Sequence, residues 1–291
     1  MEQALASVAW ADELIVVDME SDDDTLAIAG RWPARILNQS PVPRVDGIRN
    51  RFLEQATHDW ILVLDSDEYL ADDGEKVVRE LIGQHQHRFD AIAIPRFNTI
   101  AGRTMRGSNW YPDHQIRLFK KGHVAWNDSI HKLPEVVSGS HRLLELRPPH
   151  CLHIFHTNYL DIPAFVRRQV EYACSDSYDQ DPDNFDFSDY LAKAYENLAL
   201  YGDQERDGDL SHALSLLMAW DSIVRGLIHW QSLQPKPALS YLTALPITQK
   251  KVSRSKIFLR KLRMRHYATA YVARRLLDIG KNLFRLGRSS R

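Results

Sequence analysis

The sequence predicts an α/β protein in which helices flank a mostly parallel sheet and a helical C-terminal extension follows. Two observations predict this fold class. Apolar runs that end in an acid, at 13–18 and just beyond 60–64, alternate with segments of helical spacing. From Asp161 onward the apolar residues recur at helical spacing alone. Strands buried on both faces and separated by helices are typical of parallel sheets with right-handed crossovers.

Each element of the α/β region has its own signal. Apolar or alternating runs predict strands at 13–18, 34–37, 60–64, 90–94 and 115–119. Apolar residues three or four positions apart predict helices at 25–32, 48–56 and 77–82. In the extension, Asp161 caps the first helix and Pro163 suits its first turn. Two further helices are predicted near 188–201 and 209–231.

These patterns divide the chain into three parts. The predicted parts are an α/β domain at 1–160, a helical extension at 161–249 and a basic tail at 250–291.

The tail contains 14 Lys and Arg and one acid, Asp278, although the whole chain has a net charge of −1. Apolar residues are interleaved with these cations, as in a basic amphipathic helix. We expect the tail to bind an anionic membrane surface. The less favoured alternatives are nucleic-acid binding and docking on the acidic remainder of the chain.

The composition bounds the function classes. Of the 291 residues, 44% are hydrophobic and 26% are charged, which argues against disordered, collagenous and polytopic membrane proteins. Two cysteines are too few for a disulfide scaffold. Residues 1–11 lack the basic flank and apolar run of a secretory signal. We therefore expect a cytoplasmic protein, peripheral on the inner face of the cytoplasmic membrane.

Two carboxylates, Asp65 and Asp67, directly follow the strand at 60–64, at the end where open parallel sheets bind their ligands. Alternate residues of an extended chain point to the same side, so both can bind one Mg²⁺ or Mn²⁺ ion that grips a diphosphate. Such an ion would neutralise a departing nucleotide diphosphate. The alternative is an acidic turn that merely ends a strand.

Three further polar residues surround this position in the predicted sheet. Asp18 ends another apolar strand and can accept hydrogen bonds from a base or from ribose hydroxyls, or else cap the helix that follows. Arg49 and Asn50 lie on the helix before the strand at 60–64 and can offer a cation and an amide to a phosphate or sugar. A solvated helix face is the alternative for this pair.

Several stretches occur in an order and spacing that resemble a known family. They are 11–25, Arg49-Asn50, 58–68 and Asn109–Gly122, the last containing Trp-Tyr-Pro-Asp113. Together they are similar to family 2 glycosyltransferases of the GT-A fold, a Rossmann-like, mostly parallel sheet flanked by helices. The tract at 109–122 resembles one in bacterial lipopolysaccharide core glucosyltransferases, and His131 and His156 occur where that group has histidines. The resemblance covers residues 1–175 and extends more loosely to 232.

The resemblance implies transfer of a sugar from a nucleotide-sugar, a UDP-sugar above all, to a cell-surface glycan or lipid-linked acceptor. By position, Asp18 would contact the nucleoside. Asp65 and Asp67 would bind the donor ribose and the metal-bridged diphosphate. His156 would be a third metal contact.

Such enzymes usually invert the anomeric carbon, and this displacement needs one general base on the acceptor hydroxyl. Asp113 is the candidate, because it lies beside aromatic residues able to stack on a sugar. Its alternative role is an ion pair with Arg117, which we otherwise place in donor binding. The family group often has His-Glu where this chain has His131-Lys132. The acid that could act as the general base in that group is therefore absent from this chain. The next acid, Glu135, lies three residues after Lys132.

The resemblance also implies a first strand before the equivalent of residues 2–10, and Met1 falls after it. Two hypotheses follow: coding sequence lies upstream of Met1, or the chain is an inactive copy. The leading function is thus a metal-dependent, inverting glycosyltransferase. The second is a non-catalytic nucleotide- or sugar-binding relative. A third makes the tail primary, in a nucleic-acid-binding protein.

Overall fold

The structure is a computed structural model that describes residues 1–42, 46–126, 134–176 and 185–233. His131, Lys132 and the basic tail at 250–291 lie outside the described residues. Helices and strands alternate up to residue 159, and the elements described beyond it, as far as residue 233, are helices. The α/β class and the helical C-terminal region are therefore confirmed.

The N-terminal elements form a small ladder of their own. In chain order they are α1 (Glu2–Ser7), β1 (Leu14–Asp18), α2 (Thr25–Ala29) and β2 (Ala34–Asn38). Strands β1 and β2 run parallel, with Asp18 opposite Asn38. Leu5, Val16 and Ala29 form the buried centre of this part. Among the described strands, the ladder that ends at Asp18 is therefore separate from the sheet whose strands flank the loop with Asp65.

The next elements build the main sheet. They are α3 (Asp46–Leu53), β3 (Trp60–Leu62), β4 (Glu68–Leu70), α4 (Gly74–His85), β5 (Ala91–Ile100), β6 (Arg103–Thr104) and β7 (Asp113–Lys120). There follow β8 (Val124–Ala125), β9 (Glu135–Val136), a 3₁₀ turn (Ser140–Arg142), β10 (Leu143–Glu145) and β11 (Ile154–Tyr159). Of these, β8 and β9 pair with each other in a separate two-stranded ladder. The strand order is β3-β7-β5-β11-β4, and β6 and β10 also pair with β5. Strand β5 is thus the centre of the sheet.

Strand direction corrects the prediction of a mostly parallel sheet, because the sheet is mixed. Strand β7 runs antiparallel to both β3 and β5, and β4 runs antiparallel to β11. Strands β10 and β11 run parallel to β5. A continuous hydrophobic run indicates only that a strand is buried on both faces. Helices that cover the sheet can bury a strand in this way whether it runs parallel or antiparallel to its neighbours. The pattern therefore does not specify direction.

The core lies on both faces of β5. On one face, Ile92 and Ile94 pack with Val78 of α4 and with Ile154 of β11. On the other face, Ala91 packs with a cluster that includes Phe119 and Trp126. Toward its end the same strand carries Arg96 and Asn98, whose polar groups are buried or nearly so. Apolar packing at one end of β5 thus positions polar side chains at the other.

The C-terminal helices pack against the far end of β5. They are α5 (Ile162–Asp176), α6 (Phe187–Leu200), α7 (Gln204–Asp207) and α8 (Asp209–Leu233). The predicted cap is confirmed, since Asp161 Oδ1 accepts a hydrogen bond from Ala164 N at 2.7 Å. Ile100, Met105, Phe165 and Leu214 share one buried cluster. Sheet and helices therefore have a common core at this end.

The loop after β6 is fastened to α7. Arg106 N donates to Asp207 Oδ1 at 2.6 Å, and Ser108 Oγ donates to Asp203 O at 3.4 Å. This loop leads into the Trp-Tyr-Pro-Asp113 tract, so the helical region helps to position that tract. Among the described helices, none combines the length and the apolar character needed to cross a bilayer.

Candidate active site

The candidate site lies where the loop 65–67 joins strands β3 and β4. Asp67 O accepts a hydrogen bond from Thr157 N of β11 at 3.0 Å, and Asp65 O accepts one from Glu68 N at 3.0 Å. In the sheet, His156 lies opposite Glu68 on one side and opposite Asn98 on the other. Because side chains alternate along strands, these three share one face. The acidic loop therefore borders a polar row of the sheet.

Asp65 is held between two arginines. Its Oδ1 accepts from Arg49 Nη2 of α3 at 2.7 Å, and its Oδ2 accepts from Arg117 Nη2 of β7 at 2.5 Å. Burial acts to raise the pKa of Asp65, but the charges of Arg117 and Arg49 outweigh it and hold that pKa well below its usual range. The two guanidinium groups therefore favour the ionised form of Asp65. The structure brings together three residues that the sequence placed in donor binding.

Beneath Asp65 lies a carboxylate that the sequence analysis missed. Glu68 is fully buried, and its Oε1 accepts from Arg96 Nη1 at 2.6 Å and from Arg117 Nη2 at 2.9 Å. Its Oε2 accepts from Asp65 N at 3.1 Å. A buried carboxylate shared by two guanidinium groups fixes both of them. Glu68 thereby connects the acidic loop to β5 and β7.

Asp113 accepts hydrogen bonds on both of its oxygens. Oδ2 accepts from Arg96 Nη2 at 2.6 Å, Arg96 Nε at 2.9 Å and Asn98 Nδ2 at 3.0 Å. Oδ1 accepts from Gln115 Nε2 at 2.6 Å. Burial acts to raise the pKa of Asp113, but Arg96 and the hydrogen bonds outweigh it and hold that pKa below its usual range.

These contacts bear on the predicted role of Asp113. The arginine that pairs with Asp113 is Arg96, in place of the Arg117 that the sequence suggested. A general base needs a lone pair that reaches the acceptor hydroxyl. A carboxylate with four donors and a lowered pKa is poorly suited to take a proton. The general-base role of Asp113 stays a prediction that its contacts do not favour.

His156 is oriented by Asn98. Asn98 Nδ2 donates to Trp110 O at 2.9 Å as well as to Asp113, so its Oδ1 faces His156 Nδ1 at 2.7 Å. The hydrogen of the neutral ring therefore lies on Nδ1. The other nitrogen, Nε2, lies 3.4 Å from Asp67 Oδ2. Burial acts to raise the pKa of Asp67, but the Nε2–H and the charge of a doubly protonated His156 ring outweigh it and lower that pKa.

The predicted metal site can be tested against this geometry. Within the described ranges, no three His, Cys, Asp or Glu side chains converge to hold an ion. Asp65 turns toward its arginines, whereas Asp67 and His156 face each other. One carboxylate oxygen and one imidazole nitrogen suit Mn²⁺ better than the oxygen-preferring Mg²⁺, and either ion would take its other ligands from water and a diphosphate. The residues present therefore fit a two-ligand site at Asp67 and His156.

The other predicted donor residues make contacts within the protein. Asn50 Oδ1 accepts from Trp126 N at 2.9 Å, and Asn50 Nδ2 donates to Trp126 O at 2.8 Å. Both halves of the Asn50 amide therefore bind backbone. Buried Asp18 accepts from Glu20 N at 3.1 Å and Ser21 N at 3.4 Å, and thus orders the turn after β1. It does not cap α2, which begins after Asp24.

The aromatic residues of the Trp-Tyr-Pro-Asp113 tract pack on other rings. The Tyr111 ring stacks on Phe97, with centroids 4.5 Å apart, and His153 stacks on Phe97 at 4.4 Å. Phe97 lies on the face of β5 opposite Arg96 and Asn98. The stack therefore supports the sheet from behind the polar row.

Comparisons with known proteins agree with part of this picture. Residues 1–134 match the family described as Glycosyl transferase family 2. A TPR repeat-containing protein of Synechococcus elongatus is 38% identical over 136 residues, which are 45% of this chain and 33% of that protein. Proteins named uncharacterized glycosyltransferase, from Rickettsia felis and Rickettsia conorii, are 36% and 35% identical over 85 residues, 28% of this chain and 29% of each relative.

The matched part of the chain spans about a third or less of the length of these relatives. The family match includes the acidic loop, Arg49, Arg96, Asp113 and Arg117, and ends before His156. The segment that contains most of the candidate site is thus similar in sequence to family 2 glycosyl transferases.

Proposed function

We propose that the chain transfers a sugar from a nucleotide-sugar donor, a UDP-sugar above all, to a cell-surface glycan or lipid-linked acceptor, with a divalent cation. The observation that carries this proposal is the acidic loop itself: Asp65 is fixed by two arginines while Asp67 stays partly exposed beside His156. The family match over residues 1–134 supports the reaction class. The proposal also places the protein at the cytoplasmic face of the membrane, through the basic tail.

In this proposal each polar residue has a distinct task. Asp67 and His156 would hold Mg²⁺ or Mn²⁺, which when bound stabilises negative charge on a departing diphosphate. Arg49 and Arg117 fix Asp65 as an ionised acceptor for ribose hydroxyls. Their charges also make the surroundings of the loop favourable for a phosphate group. Inversion at the anomeric carbon would follow from a single displacement.

We place Asp113 among the positioning residues. It binds Arg96 through two hydrogen bonds, and Arg96 in turn binds Glu68. Loss of the Asp113 carboxylate would therefore leave Arg96 less firmly positioned. Because Arg96 binds Glu68, and Glu68 binds Asp65 N, the acidic loop would become less ordered. In an assay with a working donor, Asp113→Asn should weaken donor binding together with turnover. A loss of turnover with donor binding unchanged would instead support the general-base role.

The first experiment is thermal unfolding of the full chain with and without Mn²⁺ or Mg²⁺, across a panel of nucleotide diphosphates and nucleotide-sugars. A ligand that binds only the native state raises the midpoint by mass action. A rise with one nucleotide that requires the metal would support the proposal and identify the donor class. Cooperative melting with no shift for any ligand would contradict it.

A non-catalytic nucleotide- or sugar-binding protein is the second candidate. It is favoured by the arginines that occupy both Asp65 oxygens and by the lack of a third metal ligand in the described residues. The two candidates differ in one result. A non-catalytic binder would show the ligand-dependent shift and neither hydrolyse nor transfer the sugar of that ligand.

A further inference from the structure

Asn98 occupies a central place in the polar row of the sheet. It lies on β5, directly opposite His156 of β11, and is 1% exposed. Both hydrogens of its amide are used, since Nδ2 donates to Trp110 O at 2.9 Å and to Asp113 Oδ2 at 3.0 Å. On the other side, its Oδ1 faces His156 Nδ1 at 2.7 Å. Asn98 therefore connects the Trp-Tyr-Pro-Asp113 tract to His156.

The tract fixes the orientation of this amide. The Trp110 carbonyl and the ionised Asp113 carboxylate can only accept hydrogen bonds, so both require the NH₂ group of Asn98 on their side. If the amide were turned over, its oxygen would face two other oxygens and its NH₂ group would face His156. The position of Oδ1 next to the ring is consequently set by the tract and does not depend on a ligand.

The orientation of the amide decides which nitrogen of His156 is available. Because Oδ1 only accepts, the hydrogen of the neutral ring lies on Nδ1 and the lone pair lies on Nε2. Nε2 and Asp67 Oδ2 lie 3.4 Å apart, so two acceptors then face each other. A cation, or a second proton on the ring, satisfies both of them. Asn98 thus prepares this pair for a positive ion from behind the ring.

This arrangement is the one that metal-binding histidines commonly have. A ligating imidazole usually donates its other N–H to an oxygen, which fixes the tautomer and the orientation of the ring. Loss of that oxygen typically weakens metal binding about 10- to 100-fold. Asn98 has both properties that the role needs: an oxygen 2.7 Å from Nδ1 of His156, and partners that keep the amide from turning.

We propose that Asn98 is a positioning residue for the cation site, which transmits the position of the Trp-Tyr-Pro-Asp113 tract to His156 and holds Nε2 toward Asp67 as a metal ligand. The inference rests on the proposed function, because it takes Asp67 and His156 as the two ligands. It extends that function in one respect. Affinity for the cation depends on residues of the tract that do not themselves bind the cation.

The test is a titration of the full chain with Mn²⁺ alone, in which electron paramagnetic resonance measures the free ion. Asn98→Ala should bind Mn²⁺ about 10- to 100-fold more weakly than the unchanged chain. The matched control is Asn197→Ala, which also removes a buried amide. Asn197 Nδ2 donates to Ser222 Oγ at 3.0 Å and to Met218 O at 3.2 Å, between α6 and α8. The control should bind Mn²⁺ like the unchanged chain.

A second measurement uses the unchanged chain and so does not depend on the folding of Asn98→Ala. Long-range ¹H–¹⁵N spectra of the histidine-labelled chain at about pH 8, above the ordinary pKa of an imidazole, distinguish the two neutral tautomers. The variant His156→Gln identifies the signals of His156. We expect the Nδ1–H form in the unchanged chain and a mixture of both forms in Asn98→Ala. A merely structural role of Asn98 would leave the tautomer unchanged.

Two results would overturn the inference: an Nε2–H tautomer of His156 in the unchanged chain, or full Mn²⁺ affinity in Asn98→Ala. Either result would leave the proposed sugar transfer intact. If the unchanged chain bound no Mn²⁺, the cation site and this inference would both be wrong. Absence of sugar transfer by a chain whose Mn²⁺ binding depends on Asn98 would instead contradict the proposed function alone.

Discussion

Glu68→Gln is the sharpest test of the network beneath the acidic loop. The substitution keeps the shape of the side chain but removes its charge, which faces Arg96 at 2.6 Å and Arg117 at 2.9 Å. Only one atom of the new amide can accept hydrogen bonds, so its NH₂ group would face a buried guanidinium group or the Asp65 N–H. Breaking a buried ion pair by changing one partner costs about 3–5 kcal/mol.

We therefore expect Glu68→Gln to lower the free energy of unfolding by about 3–5 kcal/mol. The measurement is urea unfolding at pH 7, followed by circular dichroism. Glu75→Gln is the matched control, because Glu75 forms an exposed pair with Arg79 on α4 at 2.9 Å. Such pairs contribute about 0.3–0.5 kcal/mol. If the two variants lost equally little stability, the reasoning about the buried network would be refuted.

Three further predictions concern the acidic loop, an acid just before the start of β5, and the α6–α8 helix pair. Asp67→Asn should abolish metal-dependent turnover and leave the melting midpoint nearly unchanged, because the side chain is 45% exposed; wild-type rates would exclude the metal role. The pKa of Asp90 is held far below its usual range by Arg142, against the effect of burial and with help from Lys120 and Ser138, so its stabilisation is complete above about pH 4 and is lost as the pH falls. Urea midpoints at pH 6, 4 and 3 should consequently fall more steeply for the unchanged chain than for Asp90→Asn, and parallel curves would contradict this. Gly226→Ala should destabilise by about 1–3 kcal/mol, since its Cβ would lie 2.7 Å from Tyr190 Cγ, whereas exposed Gly83→Ala on α4 should stabilise by about 0.5–1 kcal/mol.

Most helices and strands can be predicted from the sequence, because buried apolar residues recur every three to four positions in a helix and form continuous or alternating runs in a strand. The run at 60–64 and the helix at 77–82 were found as β3 and within α4, and the helix near 209–231 is α8. Strand direction was not predictable, because it depends on partners that are far apart in the chain. The alternating pattern at 115–119 nevertheless belongs to β7, which is antiparallel to both neighbours.

The site residues that could be predicted are those next to a recognisable local pattern, such as acids at the end of an apolar strand. Asp65 and Asp67 stand at a strand end, and position alone singled them out. Glu68 and Arg96 were missed because a buried ion pair joins residues 28 positions apart. One signal existed for Arg96: a charged residue inside an apolar run must find a partner when the strand is buried.

The loop that joins β6 to β7 has a consequence for protein engineering. It is bonded to α7, and Met105 within it shares a buried cluster with Phe165 and Leu214. A chimera that exchanged only residues 1–160 would leave these groups facing a foreign helix layer. Grafts between related chains should therefore carry the Trp-Tyr-Pro-Asp113 tract and helices α5 to α8 as one module, with the junction placed beyond residue 233.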